Sequence, residues 1–132
     1  MIVRNDEVAK FLIEQSVPGS MFHPPFAGWV IIVKGEPRGA FIYNGYNGHN
    51  VDLSMSLFGS FPVSDVRAMA RHGFGDLNIC RCTARARPSN VKANAAMVRA
   101  GFVLESVARD HFGDEDANVY VLLRRDQRIV RL

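Results

Sequence analysis

Apolar and polar positions along the chain divide it into short elements of alternating type. From Asn5 to Gln15 the apolar residues recur at helical spacing. Val8, Phe11, Leu12 and Gln15 share one face, with Phe11 and Leu12 as its apolar centre. Asn5 is suited to cap this helix, and Asp6 and Glu7 to its first turn. Val17-Pro18-Gly19 ends it, and Pro24 and Pro25 make Ser20 to Ala27 an apolar loop packed onto something. Trp29 to Lys34, Ala40 to Tyr43 and Asn50 to Phe58 then read as three strands. In the third, Val51, Leu53, Met55 and Leu57 alternate with Asp52, Ser54 and Ser56. The turn at Gly35 to Gly39 and the Asn-Gly pairs at Asn44 and Asn47 make this an antiparallel meander.

A helix is predicted from about Pro62 to His72, with Gly73 as its stop. Leu77 to Arg87 reads as a strand with Arg81, Thr83, Arg85 and Arg87 on one face and Cys80, Cys82, Ala84 and Ala86 on the other. A helix from Asn90 to Arg99 follows, capped by Ser89 and ended by Gly101, with Val91, Ala95, Val98 and Phe102 as its apolar stripe. Strands at about Phe102 to Asp110 and Asn118 to Arg125 flank the polar loop Gly113 to Asp116. Helical crossovers around the fourth strand imply one parallel pair in a mostly antiparallel sheet. The expected architecture is an α+β domain spanning residues 1–132, a mixed sheet of about six to seven strands flanked by about three helices.

Composition narrows the class. The chain has 132 residues, 48% hydrophobic and 22% charged, the balance of an ordinary globular domain. No apolar run reaches the ~20 residues of a membrane span. The first residues lack a signal-peptide pattern, so the expected location is cytoplasmic, with Cys80 and Cys82 as reduced thiols. The small core-facing thiol is the favoured reading of both, and no metal site is expected. Trp29 is expected in the core. A net charge of +3 does not by itself indicate nucleic acid. The row Arg81, Arg85 and Arg87 calls for either a solvent boundary or an anion, such as a phosphate, an acidic substrate or nucleic acid.

The segment Asn90-Val91-Lys92-Ala93-Asn94-Ala95-Ala96-Met97-Val98-Arg99-Ala100-Gly101-Phe102 resembles the late motif of the Gcn5-related N-acetyltransferase (GNAT) family, in which Asn opens a helix ending in a basic residue, any residue, Gly and Phe. The strand carrying Glu105, the loop Phe112-Gly113-Asp114 and the strand Val119-Tyr120-Val121-Leu122-Leu123-Arg124 continue the likeness, as does the order of elements. The resemblance is to small phage and bacterial members. It implies a GNAT-like sheet whose fourth and fifth strands splay apart to hold acetyl-CoA as co-substrate, and direct attack of an acceptor amine on the thioester.

Mapped onto this chain, the resemblance places the notch between Val51–Phe58 and Ile79–Ala86. Cofactor contacts fall on Leu57, Phe58, Gly59, Ser60, Val63, Arg67 and Asn90. Asp52, and His49 beside it, are the candidate bases. The phosphate loop departs from the family pattern: Gly59 is its one glycine and Pro62 removes an N–H donor. Met97 stands where many members carry a tyrosine acid. The function implied is an acetyl-CoA-dependent N-acetyltransferase acting on an amine of a small molecule or protein. The alternative is a non-catalytic GNAT-like module that binds a protein or nucleic-acid partner through its arginine-rich surface; nucleic acid is disfavoured because the basic residues are not interleaved with exposed aromatics. Met21 to Phe26 is the candidate homodimer contact.

Overall fold

A computed structural model describes residues 1–59 and 62–132. In chain order the elements are β1 (Ile2–Arg4), α1 (Asp6–Ser16), β2 (Phe26–Val33), β3 (Glu36–Asn44), β4 (Asn50–Leu57), α2 (Val63–Ala70), a π-helical turn (Arg71–Asp76), β5 (Arg81–Ala86), α3 (Val91–Arg99), β6 (Val103–Ala108) and β7 (Ala117–Leu123). The strands form one seven-stranded sheet in the order β1-β2-β3-β4-β5-β7-β6. Among the described residues β4 and β5 run parallel, and every other neighbouring pair is antiparallel. This is the α+β architecture that the sequence pattern implies.

Side-chain alternation sends the two faces of the sheet to different partners. One face carries Trp29, Phe41, Tyr43, Val51, Leu53, Cys82, Ala84 and Leu122, packed with Met69 and Phe74 from the α2 segment and with Met97 of α3. Trp29 is buried and stacks on Phe41 with ring centroids 5.0 Å apart, so it belongs to the core as expected. The other face receives α1, where Ala9, Ile13, Phe22, Ala40 and Ile42 make a second, smaller core.

Several elements differ from the pattern-based expectation, each for a local reason. Strand β1 escapes the pattern, because three residues are too few to show alternation. The hairpin between β2 and β3 turns on Lys34 and Gly35 alone, both at positive φ (54° and 77°), so β3 begins at Glu36 rather than Ala40. On α1 the buried residues are Ala9 and Ile13, while Val8 and Phe11 are 41% and 59% exposed. Gly28 of β2 explains the choice of face. A Cβ there would lie 2.7 Å from that of Ala9, so the helix approaches the sheet through its smallest side chain. The expected stop at Gly73 is instead the centre of the π-helical turn. Tyr43 donates its hydroxyl to the Met69 carbonyl at 2.8 Å, and only a glycine at 73 leaves room for that ring.

Asn90, not Ser89, caps α3: its side chain accepts from Ala93 N–H at 3.1 Å. Gly101, at φ 98°, ends the helix as expected. The apolar stripe assigned to α3 is corrected. Met97 and Phe102 are buried, whereas Val91 and Val98 are 75% and 62% exposed. Asn94 explains this rotation. Its carbonyl oxygen accepts from Tyr120 Oη at 2.6 Å and Asn118 Nδ2 at 2.9 Å, which turns its side of the helix toward β7.

Candidate functional site

Strands β4 and β5 pair from Asn50↔Arg81 to Leu53↔Ala84 and no further. Beyond Leu53, β4 continues to Leu57 against β3 alone. The edge of β4 from Ser54 to Leu57 that faces β5 therefore has no strand partner among the described residues. An extended ligand can pair with such an edge by main-chain hydrogen bonds. The divergence opens into a cleft of about 400 Å³ on the α1 side of the sheet. Its walls come from the C-terminal end of α1, the segment that follows it, β4, the end of β5, the start of α3 and the loop between β6 and β7. Ser16 of α1 and Ser56 of β4 share a hydrogen bond at 2.6 Å, which fixes the helix end over the strand.

The polar group at the heart of the cleft is Asp52, Arg85 and His111. The parallel register places Asp52 opposite Thr83, with Arg85 two residues farther on the same face. Thr83 donates to Asn50 Oδ1 at 2.7 Å, which turns Asn50 Nδ2 toward Asp52 Oδ1 at 3.2 Å. Asp52 Oδ2 faces Arg85 Nη1 at 3.5 Å. His111 reaches the cleft from the β6–β7 loop, braced edge-on by Phe112 with ring centroids 4.8 Å apart. Its pKa is lowered, first by burial and then by the Arg85 cation, with Asp52 pulling the other way.

The three arginines of β5 meet different fates. Arg81 makes a two-pronged pair with Glu105 at 2.8 and 2.5 Å. Glu105 is the extra residue of a bulge in β6, which re-aims it across β7. Arg87 donates to Asp114 at 2.8 Å, to Glu115 at 3.4 Å and to the Pro18 carbonyl, and its guanidinium covers the Phe112 ring at 4.4 Å. Arg85 has only the long contact with Asp52 among the described residues. Two of the three charges are thus paired with acids of the same chain at its surface, and the row is not a free cationic surface. Arg124 is likewise engaged, donating to the Phe74 and Ile79 carbonyls.

Of the residues singled out from the sequence, Asp52 and Asn90 line the cleft. His49 is exposed on the turn before β4 and lies outside that lining. Its carbonyl serves the chain instead, accepting from Cys80 and Arg81 N–H at 2.9 and 3.1 Å. Leu57, Phe58, Gly59, Val63 and Arg67 sit at the far end of β4 and the start of α2, roughly 16 Å of strand beyond Asp52. All five are exposed, and Gly59 lies against the Arg38 side chain. Ser60 lies outside the described residues. Cys82 is buried, with its thiol pushed up to about 12 mainly by that burial; Cys80 is exposed, contrary to the core-facing expectation. In the Met21 to Phe26 loop Phe22 is buried, which leaves Met21 as its projecting apolar side chain. In the sequence Arg85 is one of a row and His111 stands alone. Both are brought into the cleft by residues far away along the chain.

No protein-family model matches the sequence, and no curated protein matches it. Solved structures do. A chimera of the spermidine N-acetyltransferase SpeG from Vibrio cholerae and hSSAT superposes with a TM-score of 0.76 at 12% identity, covering 95% of this chain and 96% of that one. A T. thermophilus protein described as an acetyltransferase gives 0.68 at 24% identity over 79% of this chain. The Campylobacter jejuni N-acetyltransferase PseH, solved with acetyl coenzyme A, gives 0.63 at 10% identity, covering 77% of this chain and 70% of that one. The chain spans 62% of the length of the T. thermophilus protein and 60% of another acetyltransferase of similar likeness. No helix among the described residues is long and apolar enough to cross a membrane. The splayed parallel pair, the order of the seven strands and these superpositions together give the chain the Gcn5-related N-acetyltransferase fold.

Proposed function

We propose that the chain is an acetyl-CoA-dependent N-acetyltransferase acting on an amine of a small molecule or protein. The observation that carries this reading is the lapse of pairing beyond Leu53 and Ala84, which leaves an open β4 edge leading into a cleft that holds Asp52, Arg85 and His111. The likeness to acetyltransferase structures supports it.

The site fits an extended thioester ligand, because the Ser54–Leu57 edge offers unpaired main-chain groups along its length. Leu57, Phe58, Gly59, Ser60, Val63 and Arg67 are the proposed contacts for the phosphate end, and Asn90 for the part near the cleft. The co-substrate supplies an activated acetyl group. The chain's own residues then do the positioning on which such a reaction depends. Asp52 holds the acceptor nitrogen. His111, kept neutral by its surroundings, takes the ammonium proton on an imidazole nitrogen and frees the lone pair for attack. The new C–N bond forms as the C–S bond breaks, and the second nitrogen proton passes to the departing thiolate, which needs little help to leave. The expectation that His49 serves as base is set aside, since it does not face the cleft.

Calorimetric titration with acetyl-CoA tests the reading, with CoA and desulfated CoA as controls. Saturable binding near micromolar strength supports it. Silence at millimolar acetyl-CoA by folded protein overturns it. The module reading, docking through the arginine row, has little free charge to use once Arg81 and Arg87 are paired within the chain.

A further inference from the structure

The proposed reaction leaves the acceptor undefined, and the charges in the cleft narrow it. Of the charged residues lining the cleft among the described residues, Asp52 is the one acid, facing Arg85, while Arg87 is tied up by Asp114 and Glu115. Arg85 is unlike its two neighbours in the row. It makes no hydrogen bond among the described residues, and its contact with Asp52 at 3.5 Å is beyond good hydrogen-bond length. Both side chains are accessible from the cleft, at 33% and 30% exposure. A guanidinium carries five donors in a planar fork that matches a carboxylate. Here that fork is unspent among the described residues. Asp52, meanwhile, has one oxygen oriented by Asn50 and the other turned toward the cleft and Arg85.

We propose that the acceptor is a small zwitterion with an amine and a carboxylate close together, as in a free α-amino acid, and that Arg85 is the specificity-determining residue that takes the carboxylate while Asp52 takes the ammonium. This rests on the acetyltransferase reading for the fate of the amine. The charge pattern separates ligand classes. A polyamine or simple amine meets Asp52 but is repelled by Arg85 beside it. A carboxylate without an amine meets Arg85 but is repelled by Asp52. A zwitterion satisfies both, replacing one long ion contact with two short charge-assisted ones. It also presents its nitrogen inside the cleft that His111 lines.

The test is a panel of free amino acids, each with its decarboxylated amine and its deaminated acid. Binding is followed by ligand-observed NMR with and without acetyl-CoA, and transfer by release of free thiol. The expected result is that at least one amino acid is bound and acetylated with a kcat/KM about ten- to a hundred-fold above its matched amine, the range expected for a charged hydrogen-bonded pair. In Arg85→Gln that ratio falls toward unity, and Arg85→Lys recovers part of it. Asp52→Asn gives the mirror result in binding, weakening the amino acid and the amine but not the deaminated acid. A matched amine used as well as its amino acid overturns the proposal. So does an Arg85→Gln variant that slows both alike, which is the mark of a merely structural ion pair. If acetyl-CoA binds but no amino acid binds or reacts, the zwitterion site falls and the acetyltransferase reading stands. If acetyl-CoA does not bind but amino acids do, in an Arg85-dependent way, the site stands and the acetyltransferase reading falls.

Discussion

Replacing Gly28 with alanine perturbs the closest approach between α1 and the sheet. The added Cβ would sit 2.7 Å from Ala9 Cβ, with Asp6 Cα and Ile42 Cγ1 both at 3.3 Å. Carbon atoms in good contact are about 3.5–4.0 Å apart, so the helix must lift by about 1 Å. The methyl of Ala9 cannot swing away, because it has no rotamer to change and is fully buried. The chain around Gly28 is also pinned, since its N–H donates to Asp6 Oδ1 at 2.8 Å and its carbonyl accepts from Asn5 N–H at 3.0 Å. Overpacking of this kind costs about 1–3 kcal/mol. For a domain of this size that lowers Tm by roughly 5–10 °C. Thermal and denaturant unfolding of Gly28→Ala measure it directly. A second substitution sharpens the logic. Ala9→Gly should destabilise the parent by about 1 kcal/mol through helix propensity, yet be neutral or stabilising beside Gly28→Ala, because it removes the colliding methyl. A Gly28→Ala protein as stable as the parent, or an Ala9→Gly cost that is the same in both backgrounds, would refute the close-packing argument.

Other consequences are open to simpler tests. Asn90→Ala should cost about 1 kcal/mol as a lost N-cap, and Asn90→Asp should keep the cap; acetyl-CoA affinity that weakens in both variants identifies a ligand contact as well, and unchanged affinity in Asn90→Asp assigns Asn90 to capping alone. His111 has a lowered pKa, so the folded protein binds fewer protons than the unfolded chain as pH falls below about 6.5. Its contribution to stability is therefore present above that pH and lost below it. The acid limb of kcat/KM should lie below 6.5 and disappear in His111→Asn, and a limb unmoved by that change removes His111 from the proton path. A thiol reagent should label the exposed Cys80 in the native protein and reach Cys82 only on unfolding, because Cys82 is buried and its thiol is pushed up to about 12; two rapid equivalents in native buffer contradict this.

The parts of the fold that depend on local chemistry are legible in the sequence. The Asn-Gly turns, the alternation of Val51, Leu53 and Met55, and Gly101 after α3 each act within a few residues, so the meander and the late helix follow from them. Faces are harder. Phe11 outranks Ala9 on any hydrophobicity scale, yet Ala9 is buried, because the decision belongs to Gly28 on another strand. The stripe of α3 misleads for the same reason: Asn94 answers to Tyr120 and Asn118, more than twenty residues away. The site shows both cases. Asp52 stands out as a carboxylate on an alternating strand, but His111 joins it in the cleft only once the β6–β7 loop has folded back.

Arg87 joins two stretches of chain that are remote in sequence, the Pro18 turn after α1 and the acidic loop before β7. These stretches meet at the rim of the cleft, where Gly19 packs against the Phe112 backbone, and one guanidinium also ties them together. Ligand entry by independent movement of either stretch is therefore disfavoured, because each is held both by Arg87 and by the other; the two should loosen together. Hydrogen exchange should accordingly show the amides around residues 17–20 and 112–115 sharing one opening free energy. Natural variation in acceptor preference would then have to change both stretches in concert, or first dispense with the arginine that binds them.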